Sequence, residues 1–177
     1  NKVLKIFILL IFFSCSNKKE SSIVDNQNIN NNQNIKYWSN DVEELDLVMS
    51  YILSDYKDYK RSTKKNKEEK IKFLDNYFLK LDPDTTTAIN ESLEELNKRV
   101  LKSKKLFSDS DLGLLSDRAK IYIIYGPPKR EYQTYKNNLE VFIWQYEIDD
   151  KIVEFHFIDD NFGRYKLIMN EFNHINY

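Results

Sequence analysis

The sequence predicts an α+β fold in which three N-terminal helices pack on a C-terminal antiparallel β-meander of about four strands. Three observations predict it. Apolar residues recur at helical spacing through the first half of the folded region, and after Gly113 the spacing changes to every second residue. Gly and Pro number only three each among 177 residues. Because so few residues favour irregular turns, most of the chain is expected to lie in regular elements.

The helical half contains three apolar stripes. They run over Val42–Tyr56, Ile71–Leu81 and Ile89–Phe107. Asn40 with Glu43 three residues later forms a capping-box pattern, which predicts the start of the first helix. The second is expected to end at Asp82-Pro83, because the residue before a proline avoids the helical region. Thr85 to Thr87 offer caps for the third, and the charged run Lys57–Lys67 is interpreted as a solvated helix face.

The strand half follows in short segments. The predicted strands are Lys120–Tyr125, Glu140–Glu147, Ile152–Ile158 and Arg164–Met169. In the third of these, Phe155 points to the apolar face, whereas Glu154 and His156 point to the opposite, outward face. Asp149-Asp150 and the segment Asp159–Gly163 predict turns. Short strands joined by such turns are typical of an antiparallel meander.

The N-terminus predicts a lipoprotein signal peptide over residues 1–15. Lys2 and Lys5 precede the apolar run Ile6–Phe13, which is too short for a bilayer span of about 20 residues. Ser14-Cys15 then resembles the end of a bacterial lipobox, although Phe12 replaces its usual leucine. A buried core strand is the alternative, and a polar segment directly after the run makes it a poorer fit. Acylation of Cys15 is expected to anchor the protein.

Residues 16–36 are dominated by Asn and Gln and contain only scattered apolar side chains. Such a segment buries too little apolar surface to offset its chain entropy, so it is expected to be a disordered tether. A single α+β domain is expected over residues 37–172.

Composition excludes several kinds of function. The 27 basic and 28 acidic residues give a net charge of −1, which argues against general nucleic-acid binding. A single cysteine cannot form an intramolecular disulfide. One cysteine and two histidines also make a zinc site with the usual four ligands unexpected. No metal or other cofactor is therefore expected.

Two short motifs invite a functional interpretation. Asp117 is expected in a turn just before a buried strand, either as a functional carboxylate or as an acceptor of backbone N–H groups. The second interpretation is preferred because a single acid without a partner base is weak evidence for catalysis. The segment Gly126-Pro127-Pro128 is more simply explained as a strand end than as a ligand loop, since it lacks the further glycines and lysine of a phosphate-binding loop.

Five segments together resemble the GWxTD domain of bacterial envelope proteins. They are Tyr77–Pro83, Gly113–Arg118, Ile121–Pro128, Val141–Tyr146 with Trp144, and Asp159–Tyr165. The likeness covers about residues 60–170. In the motif that names the family, Gly113 and Asp117 match, whereas Leu114 replaces Trp and Ser116 replaces Thr. The resemblance implies the fold and the envelope location but no reaction. The candidate motif positions are Gly113, Ser116, Asp117, Arg118, Tyr125, Gly126, Pro127 and Pro128.

These features predict an envelope lipoprotein, expected at the outer membrane and facing the periplasm. Its domain is expected to bind or scaffold an envelope protein or a cell-wall component without catalysis. The alternative is a periplasmic hydrolase or transferase that uses Asp117, Arg118 and a tyrosine such as Tyr125. A deep pocket that brings these side chains together would favour the enzyme, whereas a flat aromatic surface would favour the binding module.

Overall fold

A computed structural model describes residues 41–63, 66–108 and 112–174. The helices in these ranges are α1 (Val42–Ile52), α2 (Tyr56–Thr63), α3 (Lys67–Leu79), α4 (Glu91–Phe107) and α5 (Asp117–Tyr125), with a 3-10 turn at Gly113–Leu115. The strands are β1 (Arg130–Lys136), β2 (Leu139–Ile148), β3 (Lys151–Asp159) and β4 (Tyr165–His174). The α+β class is confirmed. The predicted signal peptide, Cys15 and the tether lie outside the described residues.

The described chain forms two compact units, residues 41–45 with 53–97 and residues 46–52 with 98–174. In the first unit, the buried ring of Tyr59 joins α2 to α3. The ring centroids of Tyr59 and Phe73 are 5.1 Å apart. The ammonium of the buried Lys70 lies 5.0 Å from the ring centroid of Tyr59. An aromatic face compensates part of the cost of burying a cation, so this contact fixes the two helices.

Asn90 organises the connection between α3 and α4. Its amide nitrogen donates to the carbonyl of Phe78 at 2.7 Å, and its oxygen accepts from the N–H of Leu93 at 2.9 Å. The helix therefore begins at Glu91 with Asn90 as its cap, and the predicted caps at Thr85 to Thr87 are wrong. The helix cap itself closes this loop.

In the second unit, the four strands form an antiparallel sheet in the order β1-β2-β3-β4. Two-residue turns at Asn137-Asn138 and Asp149-Asp150 join the first three strands, and all four turn residues have positive φ. The apolar face packs on α5 and the end of α4. The core cluster is Phe107, Ala119, Ile121, Tyr122, Trp144, Tyr146, Val153, Phe155 and Phe157. The predicted segments of β2, β3 and β4 are confirmed.

The segment Lys120–Tyr125, predicted as a strand, belongs to α5. Its apolar residues are buried on several sides of the helix, so they show no helical period in the sequence. The first strand is instead β1, which is exposed along its whole length and therefore shows no apolar alternation. The charged run after α1 forms α2, so the described ranges contain five helices and not three.

The start of α1 also differs from the prediction. Asn40 lies outside the described residues, and Asp41 is the cap. Its Oδ1 accepts from the N–H groups of Glu43 at 2.8 Å and Glu44 at 3.1 Å. None of the helices in the described ranges is both long enough and apolar enough to cross a membrane.

Candidate functional site

The candidate motif begins with a 3-10 turn that places one leucine inside and the next outside. Gly113 has a φ of 57°, a conformation that glycine adopts without strain. Leu114 is buried, and its carbonyl accepts a hydrogen bond of 2.9 Å from the hydroxyl of Tyr51 in α1. Burial, and to a lesser degree the negative charge of Asp117, raises the pKa of Tyr51 to about 12. Leu114 is thus a core residue whose backbone is held in place.

Ser116 and Asp117 start helix α5 and attach it to the sheet. Ser116 is the N-cap, and its Oγ accepts from the N–H of Ala119 at 3.0 Å. Asp117 is the first helical residue, and its Oδ2 accepts from the N–H of Leu167 in β4 at 2.8 Å. The backbone N–H that Asp117 accepts therefore belongs to β4, and not to a turn before a strand. Asp117 holds a sheet strand against the helix start.

Arg118 lies between two aromatic rings. Its guanidinium carbon is 3.9 Å from the ring centroid of Tyr165 and 5.1 Å from that of Phe107. The ring of Tyr165 in turn meets Phe142 edge to face at 4.7 Å. Cation–π stacking of this kind positions α5 over the sheet, so the charge of Arg118 contributes to packing.

Gly126 ends α5 and does not end a strand. It has a φ of 79° and donates its N–H to the carbonyl of Tyr122, while its own carbonyl accepts from the hydroxyl of Tyr146 at 2.9 Å. Burial raises the pKa of Tyr146, so this hydroxyl stays protonated as the donor. The guanidinium of Arg99 donates to the carbonyl of Ile124 at 2.9 Å, near the end of the helix. A Cβ on Gly126 would lie 3.2 Å from the guanidinium carbon of Arg99. A cation at a helix C-terminus is favourable.

The candidate residues do not converge on one site. Tyr125 packs on Tyr146 and Phe155, with ring centroids 5.6 Å and 5.3 Å away, and its burial raises its pKa. Asp117 and Tyr125 are the first and last residues of α5, which at a rise of about 1.5 Å per residue are roughly 12 Å apart along the axis. Pro127 is exposed and Pro128 is partly buried in the link to β1. This geometry separates Tyr125 from Asp117 and Arg118, which the enzyme hypothesis would combine with it.

Above the motif, the surface carries an open depression of about 320 Å3. Its lining residues are Leu112, Leu115, Ser116, Asp117, Arg164, Tyr165 and Lys166. Leu112 and Leu115 are 57% and 64% exposed, and Phe162 in the adjacent turn is 78% exposed. Exposed apolar side chains grouped at a concave surface are typical of interaction sites. Sequence analysis missed them, although an aromatic residue within the polar turn Asp159–Gly163 was a readable signal.

The turn that carries Phe162 is rigidly built. Asp160 accepts from the N–H groups of Phe162 at 3.0 Å and Arg164 at 3.4 Å. The Nε of Arg164 lies 3.0 Å from Asp160 Oδ2, an ion pair without a well-aligned hydrogen bond. Desolvation would raise the pKa of Asp160, but these N–H groups and the charges of Arg164 and Lys166 outweigh it and lower the pKa. The turn therefore presents Phe162 on a fixed base.

A second polar cluster lies on the opposite sheet face. Glu154 accepts from the hydroxyl of Tyr132 at 2.6 Å and the amide of Gln145 at 3.0 Å, and His156 Nε2 lies 3.3 Å from its other oxygen. His156 lies on the face opposite the core cluster, as its alternation predicts, but it is only 8% exposed, so the expectation of an outward, solvent-facing side chain is wrong. The cluster links β1 to β3 across β2. In the described part of the chain, no three His, Cys, Asp or Glu residues are arranged to hold a metal ion.

Comparison with known proteins identifies one relation. The family model of the GWxTD domain matches residues 17–174. The match begins two residues after Cys15, so it includes the segment that sequence analysis assigned to the tether. No curated protein and no solved structure matches the chain.

Proposed function

The chain belongs to the GWxTD domain family, and from that premise we propose that it is a membrane-anchored envelope lipoprotein with a non-catalytic binding or scaffolding domain. We place it at the outer membrane, facing the periplasm. The partner we propose is another envelope protein or a cell-wall component. The anchor is Cys15, after the basic and apolar segment of residues 1–14.

One observation carries the proposal of a binding domain. The polar groups of the motif hold α5 in place: Ser116 caps the helix, Asp117 accepts a β4 N–H, and Arg118 stacks between two rings. Beside these groups, Leu112 and Leu115 are exposed and line an open depression, and Phe162 is exposed in the adjacent turn. Exposed apolar side chains of this kind offer a surface for a partner. Catalysis instead needs free acid–base groups that meet at a reacting atom.

The enzyme alternative gains no support from the same residues. Asp117 and Tyr125 lie at opposite ends of α5, and the depression is lined by Asp117 but not by Tyr125. An open depression also keeps water in contact with any bound group, which weakens the electrostatic stabilisation that catalysis needs.

In-cell photo-crosslinking tests the binding surface. A photoreactive residue at Leu115 is expected to give a discrete adduct in envelope membranes. The control is the same residue at Leu139, which is 57% exposed at the start of β2 and should give none. Equal labelling at both positions would contradict a specific surface at the motif.

A separate experiment tests the anchor. Cys15→Ala is expected to remain unprocessed or to leave the membrane fraction, and Cys15→Ser serves as a second variant. Mass spectrometry of the mature N-terminus should show an acylated Cys15. An unmodified cysteine there would refute the lipoprotein part of the proposal while leaving the binding surface untouched.

A further inference from the structure

The depression at the start of α5 is lined largely by exposed apolar side chains. Leu112 and Leu115 line it and are 57% and 64% exposed, and Tyr165 lines it as well. Phe162 lies beside it, because the guanidinium of Arg164, another lining residue, is 5.5 Å from the Phe162 ring centroid. Surface of this kind gains free energy from contact with the apolar groups of a partner. The sugars of a cell-wall glycan carry no large apolar side chains, so the depression suits a polypeptide segment better.

The acids around the depression are used within the chain. Asp117, which lines it, accepts the N–H of Leu167 at 2.8 Å. The side chain of Asp160 is only 14% exposed, and it accepts from the N–H groups of Phe162 and Arg164. Both carboxylates therefore serve contacts inside the fold and are poorly placed to meet a cation from outside.

The bases at the same depression face outward. The side chain of Arg164 is 42% exposed, against 14% for Asp160, with which it pairs. Lys166 is exposed, and within the described residues its ammonium forms no hydrogen bond or close ion pair. A group that approaches this surface therefore meets positive charge next to exposed leucines, which is complementary to an acidic and apolar partner.

We propose that the depression binds a polypeptide segment of an envelope protein in which a carboxylate lies next to a large apolar side chain. Lys166 pairs with the carboxylate, and the apolar side chain packs against Leu112 and Leu115. The inference rests on the proposed function in treating the depression as a binding surface, and it names the chemistry of the partner. The apolar contact supplies most of the affinity, whereas the charge of Lys166 decides which segment is preferred.

Matched synthetic peptides test this preference directly. The first has the sequence Ser-Gly-Glu-Leu-Glu-Phe-Gly-Ser, the second replaces both Glu by Lys, and the third replaces Leu and Phe by Ser. Fluorescence anisotropy of the labelled peptides measures their binding to the full chain in a non-ionic detergent, with detergent alone as the blank. The acidic and apolar peptide is expected to bind roughly tenfold more tightly than either of the others. Its advantage over the lysine peptide should shrink in about 0.5 M salt, which screens exposed charges.

Charge reversal at Lys166 gives the decisive comparison. Lys166→Glu is expected to bind the lysine peptide more tightly than the acidic one, and Lys166→Gln should lose most of the preference. The matched control is Lys151→Glu, which removes an exposed lysine eight residues from Asp159 along β3, about 26 Å away. It should keep the preference of the wild type. Because both lysines are exposed, all three variants should also keep the wild-type thermal melt.

The outcomes separate this inference from the proposed function. A preference that reverses in Lys166→Glu and persists in Lys151→Glu supports it. No measurable binding of the acidic peptide, or an unchanged preference in Lys166→Glu, overturns it, while the Leu115 photo-adduct still decides whether the depression is a binding surface. Tighter binding of cell-wall fragments or of anionic phospholipid vesicles than of the acidic peptide would assign the depression to that ligand and would also overturn the inference.

Discussion

At Asp117, one carboxylate joins two elements that are fifty residues apart in the sequence. Its oxygen accepts the N–H of Leu167, a group on β4, which is an edge strand of the sheet. Unpaired edge groups invite pairing with other chains, so a side chain that occupies one of them also protects the edge. Nearby, the side chain of Leu114 is buried at the position where the family motif has Trp.

Asp117→Ala is expected to destabilise the fold by about 1–2 kcal/mol, because it leaves the N–H of Leu167 without its acceptor. Asp117→Asn should cost less, since the amide oxygen can still accept. Urea unfolding of both variants measures the difference. Glu140→Ala, which removes an exposed carboxylate from β2, serves as the control and should remain near wild type.

A catalytic carboxylate would behave in the opposite way. Asn and Ala would then abolish the cellular function equally, while both variants kept the stability of the wild type. That result would refute the structural role of Asp117 and revive the enzyme hypothesis.

At the scale of elements, α5 shows why the sequence predicts the α+β class correctly but assigns an individual segment to the wrong type of element. A short apolar run such as Ile121–Tyr125 fits a buried strand or a buried helix, and periodicity cannot separate them. The decisive signals were its ends: Ser116 caps the helix and Gly126 with a positive φ closes it. Similarly, the Asn137-Asn138 turn was the readable signal for β1, whose exposed polar residues carry no pattern.

The two glycines that bracket α5 should respond differently to alanine. Gly126 has φ 79° and ψ −160°, a region nearly restricted to glycine, and its Cβ would contact the Arg99 guanidinium. Gly126→Ala should therefore destabilise by about 2–3 kcal/mol. At Gly113 a Cβ meets no atom within 4 Å, so Gly113→Ala should cost only about 1 kcal/mol for the left-handed backbone. Equal losses in denaturant melts would contradict this account of the helix end.

The Glu154 cluster predicts a pH dependence of stability. Burial would raise the pKa of Glu154, but hydrogen bonds from Tyr132, Gln145 and His156 outweigh it and hold the pKa below its ordinary 4.5. A lowered folded pKa stabilises the protein above about pH 4.5, and this stability is lost as the pH falls through the folded value. The acid limb of the stability curve should therefore depend on this cluster.

Tyr132→Phe removes one of the donors to Glu154 and should lower the free energy of unfolding at pH 7 by about 1 kcal/mol. As the pH falls through the folded pKa of Glu154, the difference from wild type should shrink. Tyr135→Phe on the same strand is the control, because its exposed ring lies on the other sheet face. A difference that stayed constant along the whole acid limb of the stability curve would exclude Glu154 as its source.

At the scale of the whole molecule, the sequence predicts the sheet's apolar face better than the interaction surface. In β3, Val153, Phe155 and Phe157 alternate with Glu154 and His156, so the burial of the three apolar residues follows from the strand period. Phe162 and Leu115 lie in turns, where no period distinguishes an exposed apolar side chain from a buried one. Their exposure follows from how the turns pack, which depends on contacts distant in sequence.

The boundary of the folded part is the remaining question at this scale. Residues 16–36 are rich in Asn and Gln and contain few apolar side chains, although the family match begins at residue 17. A chain that starts at Tyr37 is therefore expected to melt cooperatively, at the same temperature as a chain that starts at Asn17. Differential scanning calorimetry of both chains makes the comparison. A lower melting temperature for the shorter chain would show that residues 17–36 stabilise the domain. The first contacts to examine would then be Val141 and Ile143, which are buried on the sheet face opposite α5.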